Sequence, residues 1–113
     1  MKDRILNLDR NQKKALERFK ERVKQLYNIN SVTIFGSTSR GEAEEGSDLD
    51  VLLVTTEQLS HRERHVVYNI VTEINWEFDT NISVTVVDKY NWEQGIYSIM
   101  LIKEEVERDG VVV

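Results

Sequence analysis

Gly36-Ser37-Thr38-Ser39-Arg40-Gly41 is followed, after a gap of five residues, by Ser47-Asp48-Leu49-Asp50-Val51-Leu52-Leu53-Val54. This stretch decides how the chain is read. Leu49 to Val54 is almost continuously apolar, as expected for a central strand covered on both faces. Upstream, Val32 and Ile34 alternate with Thr33 and Phe35 in a short buried strand, Ser31 to Phe35, which Gly36 breaks. Residues 38–41 have room for one turn of helix, and residues 42–47 read as a polar loop. Two strands therefore flank a connection that opens on Gly-Ser and closes on Asp-x-Asp.

The remaining elements follow from periodicity. Residues 10–27 place Leu16, Phe19, Val23, Leu26 and Tyr27 on one helical face, and Asn28 to Asn30 end that helix. Ser60-His61-Arg62-Glu63 has the form of a capping box. It opens a helix with an inward stripe of Val67, Ile70, Val71, Ile74 and Phe78. Ile82 to Val87 reads as a third strand. Residues 90–109 read as one helix or two shorter ones, with Ile99, Ile102 and Val106 inward. Gly110 stops this segment, and Val111 to Val113 can form a last short strand. The order is α-β-(short α)-β-α-β-α-(β). The expected fold class is α/β (α+β), a small mixed β-sheet packed with helices.

Composition narrows the class. A chain of 113 residues is expected to form one domain, residues 1–113. With 40% hydrophobic and 31% charged residues it fits a soluble globular protein rather than a disordered one. There is no cysteine, which excludes disulfides and thiolate metal sites. No apolar leader or membrane-length run is present, so the expected location is cytoplasmic. The net charge of −5 is uneven: residues 1–30 carry nine Lys/Arg against four Asp/Glu. That basic segment could face a phosphate-bearing ligand or a partner, but a solvated helix face is the plainer reading.

The central stretch also carries chemistry. On a strand, residues i and i+2 share a face with Cα atoms roughly 6.5–7 Å apart. Asp48 and Asp50 then project together while Leu49 and Val51 turn inward. Two adjacent carboxylates repel unless cations or solvent separate them. Mg²⁺ takes one or two carboxylates plus phosphate oxygens at about 2.0–2.1 Å. Two metals about 3.5–4 Å apart can clamp the attacking and leaving oxygens of an in-line phosphoryl displacement. Gly36 lets the backbone approach a ligand closely, Ser37 offers a hydroxyl, and a helix start after a strand is a natural anion site. Gly36 and Ser37 can thus hold phosphates while Asp48 and Asp50 hold metal. Arg40 either neutralises phosphate or pairs with Glu42 or Glu44. A lone Gly-Ser or a lone Asp-x-Asp means little; their conjunction in this order, with a ten-residue spacer between two strands, carries the functional reading.

Gly36-Ser37, Arg40-Gly41 and Ser47-Asp48-Leu49-Asp50-Val51 together resemble the signature of the DNA polymerase β-type nucleotidyltransferases. The compact chain resembles the minimal nucleotidyltransferases (MNT), which often serve as antitoxins beside HEPN-domain toxins. The resemblance implies the polymerase β-like nucleotidyltransferase fold. It also implies triphosphate binding at Gly36, Ser37, Arg40 and Ser47, and Mg²⁺ binding at Asp48 and Asp50. The implied reaction transfers a nucleoside monophosphate, AMP from ATP, to a hydroxyl and releases pyrophosphate. In the antitoxin relatives that hydroxyl is a tyrosine of the HEPN partner. Neither membrane nor direct nucleic-acid binding is expected, while homo- or hetero-oligomers are. The alternative is a weakly active or inactive nucleotide-binding antitoxin that acts by docking. Transfer to a small molecule, as in aminoglycoside nucleotidyltransferases, would need a second domain.

One departure stands out. The family usually carries a third carboxylate on the strand after the second main helix. Here Ser83, Thr85 and Val87 occupy the alternating positions, and Glu77, Asp79 and Asp88 lie just outside. Among other features, His61 and His65 lack the His-Glu-x-x-His order of a zinc helix and are expected to be solvated. No P-loop or dinucleotide-binding motif is present. Trp76 and Trp92 are expected as core or rim anchors.

Overall fold

The computed structural model describes residues 8–36 and 48–113. The elements run α1 (Arg10–Leu26), β1 (Ile29–Phe35), β2 (Leu49–Thr55), α2 (His61–Phe78) and β3 (Ile82–Asp88). There follow α3 (Lys89–Glu93), a 3₁₀ turn (Ile96–Ile99), α4 (Leu101–Asp109) and β4 (Val111–Val112). The expected turn of helix at 38–41 and the loop at 42–47 lie outside the described residues. The strands form one sheet in the order β3-β2-β1-β4. β1 runs antiparallel to β2 and β4, and β2 runs parallel to β3, so the sheet is mixed as expected.

Local chemistry explains where the two long helices begin. Asp9 accepts the Gln12 N–H at 2.8 Å, and the Gln12 side chain accepts the Asp9 N–H at 3.0 Å. Ser60 and Glu63 form the anticipated reciprocal pair at 3.1 and 2.8 Å. Each pair satisfies donors that a helix N-terminus leaves without an intrahelical partner.

Burial divides the sheet into two faces. On one, Ala15, Leu16, Phe19 and Val23 of α1 and Val67, Ile70, Val71 and Ile74 of α2 cover the inward residues of the strands, Val51 and Leu53 among them. On the other, Phe35, Leu52, Val54 and Val87 pack against Val106, with Trp92, Tyr97 and Ile102 at the margin. β2 therefore lies between two apolar layers, which is why its sequence lacks polar alternation.

Two expectations about side chains are corrected. Ile99 does not turn inward; it is 85% exposed. The segment 90–109 is broken at Gly95 and Met100, so Ile99 ends the 3₁₀ turn and does not share the helical register of Ile102 and Val106. Trp76 is neither core nor rim anchor, at 90% exposed. It stands two residues past buried Ile74, about 200° round the helix, on the outer side of α2. Trp92 does anchor the second apolar layer, with the Lys103 ammonium 4.8 Å from its ring centre. His61 and His65 are exposed, their rings meeting edge to face at 5.1 Å.

Candidate functional site

Gly36 follows β1 directly and is buried with φ +80°. That left-handed conformation is open to glycine and costly for most other residues. A second constraint acts at the same place. The Asp50 carboxylate fills the space a Cβ on Gly36 would need, its Oδ2 closest and its Cγ 3.4 Å from the Cβ position. The antiparallel register pairs Asp50 with Phe35, so the end of β1 and the start of β2 meet at one edge of the sheet. Asp48 stands one residue before β2 and is exposed, Leu49 is fully buried, and Asp50 is half-buried. Strand alternation puts both carboxylates on the side facing away from α1 and α2.

A second anchor holds this edge. The Leu49 N–H donates to the Asn81 carbonyl at 2.8 Å, tying the start of β2 to the residue before β3. The turn leading there is gripped by Asn75 of α2. Its amide donates to the Ile82 carbonyl at 3.0 Å, and its oxygen accepts from the Ile82 N–H at 2.8 Å and the Thr80 hydroxyl at 3.0 Å. Asp79 closes α2 with φ 56°. Asn75 was not singled out in the sequence; an asparagine one turn before a helix end carries no signature until its partners are known.

The structure thus brings Gly36, Asp48 and Asp50 to one edge. Ser37, Arg40 and Ser47 lie outside the described residues. The three acids near β3 have other places. Glu77 is exposed, with Arg18 at 3.6 Å. Asp79 is the left-handed cap of α2. Asp88 is buried at the N-cap of α3, accepting the Asn91 N–H at 3.0 Å and the Asn91 amide at 2.7 Å. Burial alone would raise the Asp88 pKa, but the hydrogen bonds from Asn91 and nearby backbone outweigh it and hold the carboxyl below the usual range. Asp88 also pairs with Thr55, five residues along β2 from Asp50 and thus about 17 Å away. On β3, Ser83 is the residue paired with Asp50. Among the described residues no cluster of three or more His, Cys, Asp or Glu is placed to hold a metal. A cavity of about 400 Å³ lined by Lys24, Tyr27, Asn28, Glu57 and Glu63 lies at the opposite end of the sheet.

The donor set fits one hard cation of the Mg²⁺ type. Two carboxylates stand together at an accessible edge, Asp48 exposed and Asp50 seated against Gly36.

Comparison with known proteins places the chain in a family. The family profile described as "Nucleotidyltransferase domain" matches residues 16–112, from within α1 to β4. The chain belongs to the nucleotidyltransferase domain family. The curated relatives include two proteins of Methanocaldococcus jannaschii. "Putative protein adenylyltransferase MJ1215" is 42% identical over 41 residues, 36% of this chain and 48% of that protein. MJ0126 of the same organism, with the same description, is 40% identical over 48 residues, 42% of this chain and 49% of that one. The chain spans about half the length of these relatives. Two solved structures share its fold. A toxin–antitoxin complex with AMP-PNP aligns at TM-score 0.58 and 17% identity, over 88% of this chain and 69% of that one. A "putative minimal nucleotidyltransferase" aligns at TM-score 0.57 and 21% identity, over 93% and 96%.

Proposed function

We propose that this nucleotidyltransferase transfers AMP from ATP to a hydroxyl group with the help of Mg²⁺, and that the hydroxyl belongs to a HEPN-type partner protein. The observation that carries the reading is the Asp50 carboxylate seated against Gly36, with Asp48 beside it at the open sheet edge. The adenylyltransferase descriptions of the curated relatives and the AMP-PNP-bound toxin–antitoxin neighbour support AMP transfer and a toxin partner. In this reading the chain is one domain of the cytoplasm. Among the described residues no helix is long and apolar enough to cross a membrane.

Asp48 and Asp50 hold Mg²⁺, and Gly36, Ser37, Arg40 and Ser47 hold the triphosphate. When bound, Mg²⁺ neutralises phosphate charge and orients the α-phosphate. The acceptor oxygen attacks the α-phosphorus while the bond to the β-phosphate bridging oxygen breaks. Pyrophosphate leaves and the acceptor proton passes to water. The protein contributes alignment and charge compensation rather than a covalent intermediate. The fixed Gly36 turn and the tied start of β2 keep the two carboxylates from moving relative to β1.

The double variant Asp48→Asn, Asp50→Asn tests this. It should fold, and it should lose transfer of labelled nucleotide to a co-purified partner. Undiminished transfer would contradict the assignment. The alternative of docking without catalysis has one observation in its favour, the hydroxyl rather than carboxylate beside Asp50 on β3. Calorimetry separates the two: ATP and Mg²⁺ binding without transfer to any partner would favour docking.

A further inference from the structure

Helix α2 carries a second ordered stripe, on the side turned away from the sheet. His61, His65, Tyr68, Thr72 and Trp76 follow one another at intervals of four, three, four and four residues. At 3.6 residues per turn they stay within about 80° of arc. The buried stripe of Val67, Ile70, Val71 and Ile74 lies on the opposite side. Every member of the outer stripe is exposed, Trp76 at 90% and Tyr68 at 38%. The Thr72 hydroxyl donates to the Tyr68 carbonyl at 3.0 Å, so its methyl is what it has left to offer. Four rings over about 22 Å of one helix face form a contact surface that no described residue covers. Charge is also divided along α2. Arg62 and Arg64 lie at its start, Glu73, Glu77 and Asp79 at its end. Among the described residues neither arginine has an ion pair.

We infer that two copies of this chain associate through these faces of α2, antiparallel about a two-fold axis, with Trp76 of each copy against His61 of the other. The spacing of the stripe supports this register. With residue 61 opposite residue 76, residue 65 stands opposite residue 72, and the two Tyr68 rings come together at the axis. A two-fold axis also brings the same flank of both helices together. Arg62 and Glu73 lie on one flank of the stripe. In this register Arg62 falls two residues, about 3 Å along the helix, from Glu73 of the second copy. Glu73 holds Arg22 at 2.9 Å, yet its side chain is 64% exposed and can accept from a second cation. A parallel pair would instead set Arg62 beside Arg62 and align the helix dipoles unfavourably. Trp and Tyr at the centre and Arg at the flank are the residue types that anchor protein interfaces.

Sedimentation equilibrium of the full chain, from about 10 µM to about 1 mM, tests the inference. One helix face is smaller than the roughly 800 Å² per partner of a standard interface, so association is weak. Wild type should pass from monomer to dimer across that range. Trp76→Ser, Arg62→Glu and Glu73→Lys should each weaken dimerisation by about tenfold or more. All three side chains are exposed, so the variants should keep the fold. Arg62→Glu and Glu73→Lys proteins mixed in equal amounts should dimerise about as tightly as wild type, because opposite charges then face each other at both ends. A wild type that stays monomeric, as expected if a different protein covers this face, would overturn the inference. So would a dimer that keeps its strength in Trp76→Ser, or two charge variants that stay monomeric when mixed.

Discussion

Gly36 is the residue on which the geometry of the edge turns. Its φ of +80° and the Asp50 carboxylate in its Cβ space are independent reasons for glycine. Gly36→Ala should therefore cost about 1–3 kcal/mol of stability, read by urea unfolding, from backbone strain alone. It should also displace the Asp50 carboxylate and weaken Mn²⁺ binding of the nucleotide-loaded protein. An alanine variant with unchanged metal binding would show that Asp50 does not need the glycine. Asp88 is the other residue with a readable energetic role. Its carboxyl lies below its ordinary value of 3.8, held there by Asn91 against the effect of burial. A depressed folded-state pKa contributes stability that is fully present above the unfolded value and lost as pH falls through the folded one. Asp88→Ala should cost about 1 kcal/mol near neutral pH through loss of the N-cap. The gap between wild type and variant should narrow as the pH drops below 3.8. A gap that stays constant down to acid-induced unfolding would remove the charge from this account.

Among the elements, the turn between α2 and β3 does most to place the site. Asn75 satisfies both the N–H and the C=O of Ile82, and the Asn81 carbonyl receives Leu49 one residue earlier. Asn75→Ala leaves these partly buried groups without that partner and should destabilise the protein by about 1–3 kcal/mol. Because the same turn aligns β3 with the start of β2, amide exchange at Leu49 should rise in the variant. Unaltered exchange there would argue that the strands align without it.

The elements also show what could be read in advance. β2 was legible because a strand between two apolar layers must be apolar throughout, and α2 because Ser60 and Glu63 announce its start. Gly36, Asp48 and Asp50 stand out in the sequence because their order and spacing are unusual in combination, and the structure brings them together. The Asp9–Gln12 pair that starts α1 was not singled out, since Gln can occupy that position without serving as a cap. Residues 90–109 were only half legible. A single 3.6-residue stripe fits Ile99, Ile102 and Val106, but the 3₁₀ turn before Leu101 takes Ile99 out of it. Trp76 misled for a different reason: its size suggests burial, whereas its angle from Ile74 on α2 decides exposure. The pairing of Ser83 with Asp50 depends on strand register, which hydrophobic pattern fixes only to within a shift of two residues.

At the scale of the whole molecule, charge and layering point the same way. α1 carries much of the positive charge of residues 1–30, and two of its cations meet acids of α2, Arg22 with Glu73 at 2.9 Å and Arg18 with Glu77 at 3.6 Å. These exposed pairs contribute about 0–1 kcal/mol each and belong to the solvated back of the sheet, away from the Asp48–Asp50 side. The two apolar layers hold β2 from both faces and leave its first residues at the edge, which is where a phosphate-bearing substrate can reach carboxylates fixed by strand pairing. In the proposed reaction this edge moves a nucleotide and not a phosphate. The most direct test incubates the protein and its partner with Mg²⁺ and ATP labelled at either the α- or the γ-phosphorus. Label should reach the partner from α-labelled ATP, none from γ-labelled ATP, and none from either with Asp48→Asn, Asp50→Asn. Label transferred from the γ-phosphorus, or α-label transferred undiminished by the double variant, would rule out nucleotide transfer at Asp48 and Asp50.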